Sequence, residues 1–173
     1  MGMKRDRGFT LIEVIVVMVL LGIIGTVLAM MLTRGIEGFF FARNAAVTSQ
    51  QAQLALARIE REFLEMDSVD EIDGAAIMYT TGNRQFQIAW NGAGVFITDL
   101  NDNVMRALID NVNQFAINPQ LQNGGHWEMW NGFNQLSRIG ITMGVTMPDG
   151  TVLNFATTAN PRHANLPHEP RFF

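Results

Sequence analysis

The chain has 173 residues, 48% of them hydrophobic, with 12 basic against 16 acidic side chains and no cysteine. A formal net charge of −4 argues against nucleic acid as a main partner, because phosphate binding needs a basic patch. No disulfide can staple the fold, and the length allows one small globular domain beside a membrane segment, not two.

The N-terminus carries Lys4, Arg5 and Arg7 against a single acid, Asp6, and then becomes apolar. From Val14 to Leu32 only Gly22, Gly25 and Thr26 interrupt the apolar residues. Counted from Phe9 the segment is 24 residues, which at about 1.5 Å per residue reaches roughly 36 Å, enough for a hydrocarbon core of about 30 Å. Basic flanks stay in the cytoplasm, so the N-terminus is expected inside and everything after Leu32 outside. The run exceeds the roughly 7–15 residues of a signal-peptide core, and no small-residue cleavage site follows it. A plain signal anchor explains length and flank, but not Glu13. An ionisable group in the apolar slab costs at least ~2.5 kcal/mol and marks a functional position.

Gly8-Phe9-Thr10-Leu11-Ile12-Glu13 resembles the prepilin signature shared by type IV pilins and the pseudopilins of type II secretion systems. The likeness is strongest from Lys4 to about Leu32. It implies that a membrane aspartyl peptidase on the cytoplasmic side cuts between Gly8 and Phe9 and methylates the new amino group of Phe9. Gly8 lets the backbone lie in the peptidase cleft without a Cβ in the way. Cleavage leaves a cation at Phe9, and Glu13 of a neighbouring subunit can pair with it when helices pack side by side. Two charges at ~4 Å attract by about 4 kcal/mol at an effective dielectric near 20, before desolvation is subtracted. Such a pair sets register more than stability. Many major pilins of this family carry a proline where Met30 stands here, so no proline kink is expected.

The helix continues past the apolar run. Gly35 and Gly38, like Gly22 and Gly25, are its expected weak points, since glycine costs roughly 1 kcal/mol against alanine. From Ala42 to Met66 there is no glycine or proline, and Ala52, Leu56, Ile59, Phe63 and Met66 recur at helical spacing. This stripe is expected to lie against a sheet, with Arg58–Glu62 and Arg61–Glu65 pairing on exposed faces. Asp67 to Gly74 is read as an acidic helix end.

Strand-like runs follow at Ala76–Thr80, Gln85–Trp90, Val95–Thr98, Val104–Ile109 and Val112–Asn118. Ile139 to Met147 alternates apolar with small or polar residues, which marks a strand with one buried face. Pro148-Asp149-Gly150 then turns into Thr151–Thr157, a strong hairpin signal. The fold class is α+β: a long N-terminal helix, membrane-spanning in its first half, packed on an antiparallel β-sheet, the architecture the pilin resemblance also implies. The long helix, the segment Arg106 to Val112 and the late hairpin resemble the larger minor pilins and minor pseudopilins, and Asn160-Pro161-Arg162 faintly echoes their ends.

Candidate chemistry is sparse. His126, His163 and His168 lack metal-ligand spacing and read as loop histidines. Asp67, Asp70, Glu71 and Asp73 supply oxygen ligands of the kind calcium takes, but without the spacing of a known loop, and read as a solvated helix end. No nucleophile motif or phosphate loop is present, so no catalytic residue, cofactor or metal is assigned. Trp127 and Trp130, in a Gly/Asn-rich loop, are expected as a lid on the core, with an exposed partner anchor as the alternative. The tail, with Phe172 and Phe173 at its end, reads as an extended arm.

The expected organisation is a cytoplasmic leader at 1–8, a transmembrane half-helix at 9–32, an exported half-helix at 33–66, an antiparallel β domain at 67–159 and a Pro-rich tail at 160–173. Without the leader the side chains count nine basic and fifteen acidic, a charge of −6. The expected role is a non-enzymatic subunit, a minor pilin or pseudopilin, held in the inner membrane with its C-terminal domain in the periplasm. The resemblance implies as partners sister pilin subunits, prepilin peptidase and an inner-membrane assembly platform, with lipid around the helix before assembly. A non-polymerising, membrane-anchored periplasmic binding module is the alternative, and an anchored periplasmic enzyme a third class.

Overall fold

The structure, a computed structural model, describes residues 10–162. The chain divides into two compact units, Met1–Arg43 and Asn44–Phe173. One helix, α1, spans Leu11–Glu65 and contributes to both.

In the first unit α1 stays helical through Gly22, Gly25, Gly35 and Gly38, so the expected weak points do not break it. Every large apolar side chain from Leu11 to Leu32 is 43–81% exposed. No protein packs on this stretch among the described residues. Its hydroxyls are satisfied internally: Thr26 Oγ1 donates to the Gly22 carbonyl at 2.6 Å and Thr33 Oγ1 to that of Ala29 at 3.0 Å. A hydroxyl bonded one turn back needs no water, which lets threonine sit in an apolar run.

In the second unit α1 buries Thr48, Ala52, Ala55, Leu56, Ile59 and Phe63, and Met66 follows, fully buried. The predicted stripe is therefore the core-facing side. It packs into one cluster with apolar side chains of two antiparallel sheets. The first sheet has the order β1 (Ser68–Ile72), β2 (Ala76–Thr81), β3 (Arg84–Trp90), β4 (Gly94–Asp99) and β5 (Val104–Asp110). The second is β6 (Val112–Leu121), β7 (Leu136–Thr146) and β8 (Val152–Ala159). The architecture is α+β and pilin-like, but the expected single sheet is two. The break falls at Asn111, which takes a left-handed φ of 58° between β5 and β6. Asparagine tolerates that conformation better than most residues, and it redirects the chain into a new sheet. The sheets stay tied across the break, since the Val112 N–H donates to the Ala93 carbonyl at 2.9 Å and the Ile117 N–H to that of Gly74 at 2.7 Å.

Strand β7 follows the predicted alternation, with Ile139, Ile141, Met143 and Val145 buried. The Pro148-Asp149-Gly150 hairpin closes with the Met147 N–H on the Thr151 carbonyl at 2.8 Å and the Gly150 N–H on that of Met147 at 2.9 Å. Gly150 takes a φ of 86°, the left-handed position such a three-residue turn requires.

Two local expectations are corrected. Ser68–Ile72 is not part of a helix end but strand β1. The helix stops at Glu65, and Val69 turns into the core while the acids serve as acceptors. Glu62 is not on an exposed face: its side chain is 14% exposed, pairs with Arg58 at 2.6 Å and accepts the Tyr79 hydroxyl at 3.1 Å. Burial first, then the Glu62 carboxylate, push the Tyr79 phenol far above its ordinary value, so it acts as a fixed donor.

Asp70 organises the start of the first sheet. It accepts from Ser68 Oγ at 3.0 Å, Thr80 Oγ1 at 2.7 Å and Gln85 Nε2 at 3.0 Å. Burial raises its pKa, but the bonds from Gln85, Thr80 and Ser68 outweigh burial and hold the carboxyl below its ordinary 3.8. A depressed carboxyl stabilises the fold above its unfolded pKa and loses that contribution as pH falls through the folded value. The expected outcome is that Asp70→Asn lowers stability at pH 7 and flattens the stability loss below about pH 4. Thermal denaturation of both proteins between pH 2 and 7 measures it, and parallel acid limbs would contradict this role for Asp70.

Candidate functional site

The segment expected to carry the chemistry is the start of α1. Gly8 and Phe9 lie outside the described residues. Glu13 is described: it sits, exposed, in the first turn of α1. Its N–H donates to the Thr10 carbonyl at 3.1 Å and makes a longer contact of 3.4 Å with Thr10 Oγ1. Thr10 thus stands at the N-cap with Glu13 three positions inside the helix, a spacing that favours helix initiation. This second meaning of Thr10-Leu11-Ile12-Glu13 is legible in the sequence but hidden by the apolar run. An acid in a first turn gains roughly 0.3–1 kcal/mol from the helix dipole. That is less than the ~2.5 kcal/mol or more of placing it in hydrocarbon, so helix initiation alone does not account for a carboxylate here. Glu13 is the one charged side chain between Leu11 and Leu32.

Elsewhere the polar residues are engaged in holding the fold. Asp73 Oδ1 accepts from the N–H groups of Ala75 at 3.0 Å and Ala76 at 2.7 Å, and Asp67 Oδ2 from Gly82 at 2.6 Å. Arg84 pairs with both Asp99 and Asp102. Among the described residues no group of three or more His, Asp or Glu is placed to hold a metal ion. His126 is exposed, with Nδ1 3.3 Å from Asn118 Oδ1. His163 and His168 lie outside the described residues.

The aromatic loop divides. Trp127 is 1% exposed and donates its indole N–H to the Gly132 carbonyl at 2.8 Å, as a core lid should. Trp130, three residues on, is 79% exposed. It sits on a single 3-10 turn, Met129–Asn131, fixed by reciprocal bonds between Glu128 and Asn131. Trp127 takes the core position and Trp130 the exposed one, because a turn three residues long points its neighbours in different directions.

The beginning of the tail is also corrected. Pro161 is buried and the Arg162 N–H donates to the Leu64 carbonyl at 3.2 Å, satisfying an acceptor in the last turn of α1. Asn160–Arg162 therefore belongs to the fold rather than to a loose arm. Phe172 and Phe173 lie outside the described residues. The sequence missed this contact because it joins positions about a hundred residues apart.

A family model for the prokaryotic N-terminal methylation motif matches residues 3–29. With an uncovered apolar helix behind that motif, the chain is a type IV prepilin-like protein. The helix is long and apolar enough to cross a membrane, which fits a membrane-anchored pilin. No curated protein and no solved structure matches the chain.

Trp127→Ala is expected to cost about 3–5 kcal/mol, as for a buried aromatic truncated to a cavity, whereas Trp130→Ala stays within about 0.5 kcal/mol. Chemical denaturation followed by far-ultraviolet circular dichroism separates the two. Equal losses would show that Trp130 is part of the core.

Proposed function

We propose that this chain is a non-enzymatic structural subunit, a minor pilin or pseudopilin, of a type IV filament or type II secretion pseudopilus. The observation that carries this reading is the methylation motif at residues 3–29 placed on the first half of α1, whose large apolar side chains nothing among the described residues covers. The precursor sits in the inner membrane, N-terminus in the cytoplasm and β domain in the periplasm. Prepilin peptidase cuts between Gly8 and Phe9 and methylates the Phe9 amine. An inner-membrane assembly platform then moves the subunit from lipid into a fibre of sister pilin subunits.

The physical logic is an exchange of environments. Between lipid tails and sister helices there is little difference in apolar burial, so leaving the bilayer for a fibre core does not expose residues 9–32 to water. What changes is the partner of Glu13. In the fibre its carboxylate meets the cationic Phe9 terminus of a neighbour, worth about 4 kcal/mol at ~4 Å before desolvation. A helix inserted with the wrong stagger leaves both charges unpaired in apolar surroundings. The pair therefore selects register, which an apolar surface alone does not.

N-terminal mass spectrometry of the mature protein tests this directly: a methylated Phe9 is expected, and an intact Met1 refutes it. Gly8→Val is expected to leave full-length precursor in the membrane, visible as a shift of eight residues on a gel. Glu13→Val is expected to be cut and methylated normally but to enter filaments at least tenfold less, the equivalent of about 1.4 kcal/mol. Normal incorporation of that variant, quantified in sheared filament fractions, would remove charge pairing from the mechanism.

A further inference from the structure

The two sheets end in four edge strands, and three of them are protected against pairing with another chain. β1 carries Asp70 and Glu71 and is bulged between Val69 and Glu71. β5 carries Arg106 and Asp110, and its pairing with β4 shifts register at Val95/Phe96. The outer side of β6 is occupied, through the Val112 and Ile117 N–H groups, by the loops of the first sheet. Charges, bulges and coverage are the devices that keep sheet edges from associating.

Among the described residues β8 has none of them. Val152-Leu153-Asn154-Phe155-Ala156-Thr157-Thr158-Ala159 contains no charge and no proline, and its eight pairs with β7 run without a register shift. The hairpin fixes which backbone groups it leaves open. Met147 bonds to Thr151, and Val145 stands opposite Leu153 and Met143 opposite Phe155. In an antiparallel ladder bonded and non-bonded pairs alternate, so Leu153, Phe155, Thr157 and Ala159 bond to β7. Val152, Asn154, Ala156 and Thr158 turn their N–H and C=O outward, and all four are exposed.

We infer that β8 is an interaction edge, and that its occupant is β8 of a second copy of this chain, paired antiparallel about Phe155. Two observations select a second copy. The chain has a net charge of −4, so most faces of two copies repel, whereas this neutral strand brings no like charges together. The strand is also compatible with its own mirror pairing. Opposing residues must share a face, and a twofold axis at Phe155 sets Asn154 against Ala156 and Val152 against Thr158, so every outward-turned backbone group meets another. The same axis sets the half-buried Phe155 rings side by side on the core-facing side, in a non-bonded pair, where cross-strand contacts are closest. The two three-stranded sheets become one of six strands.

The chain has no cysteine, so disulfide trapping in full-length protein is clean. Membranes holding differently tagged Asn154→Cys and Ala156→Cys copies are oxidised together and each alone. In this register the two positions lie about 5.5 Å apart at Cα, within disulfide reach. The expected result is a crosslink between the two different tags and at least tenfold less when either variant is oxidised alone. Adding Ala156→Lys to uncrosslinked protein should abolish the dimer in analytical ultracentrifugation in detergent while leaving circular dichroism and melting temperature unchanged, since neither the side chain nor the N–H of Ala156 serves the fold. No crosslink in the mixture, equal crosslinking in each single variant, or a dimer untouched by Ala156→Lys would overturn the proposal. The last outcome would place any association in α1. None of these readouts depends on cleavage at Gly8, so they stand or fall separately from the filament role.

Discussion

The apolar first half of α1 sets the main physical demand this chain makes on its surroundings, because nothing among the described residues covers it. Large side chains from Leu11 to Leu32 all remain more than two-fifths exposed, a surface that is unstable in water at roughly 25 cal/mol for each Å². It requires hydrocarbon or other helices. Within that stretch Thr26 bonds its own helix, and Glu13 is the one charged side chain. The family model for the N-terminal methylation motif falls on this same stretch, at residues 3–29.

The same helix solves a different problem in the second unit. There Ala52, Leu56, Ile59 and Phe63 form a stripe rather than an all-round apolar surface, and the sheets cover it. Phe63 meets the Tyr79 ring edge to face at 5.9 Å, Tyr79 stacks on Phe86 at 5.8 Å, and the Tyr79 hydroxyl ends on Glu62. One aromatic column thus carries the helix through β2 and β3 and terminates its only polar group on a helix carboxylate held by Arg58. An all-round apolar segment followed by a one-sided one is the difference between a helix solvated by lipid and a helix solvated by a sheet.

Much of this was legible in the sequence, and the pattern of success is physical. Period-3.6 and period-2 signals are local, so the helical stripe and the strands from β2 to β8 emerge within three residues of their observed bounds. The resemblance carried by Gly8 to Glu13 was legible because it rests on adjacent residues, and a family model matches that stretch at residues 3–29. What failed was long-range. Ser68–Ile72 became a strand because Thr80, Tyr79 and Met78 offered it a partner, and its acids disguised it. One sheet became two because Asn111 adopted a positive φ, and no periodicity reports that. Trp127 and Trp130 are alike in the sequence and opposite in the structure, since a three-residue turn decides which faces the core. The tie from Arg162 to Leu64 follows from where β8 ends, a property of the whole fold.

Apolar burial has no direction, so the span alone cannot distinguish this subunit from any other with a similar N-terminal half. Discrimination must come from groups whose interactions have geometry. On the proposed role Glu13 is one, because a charge pair in low dielectric tolerates a single stagger. The backbone of an open strand is another, because its donors and acceptors repeat with a fixed spacing and reject a slip of one residue. The fold spends protective features on β1, β5 and β6 and none on β8. If association were a hazard everywhere, the same charge or bulge that guards β5 would cost little at Ala156 or Thr158, which are exposed. An edge left bare in a chain that manages its other edges is therefore better explained by use than by neglect.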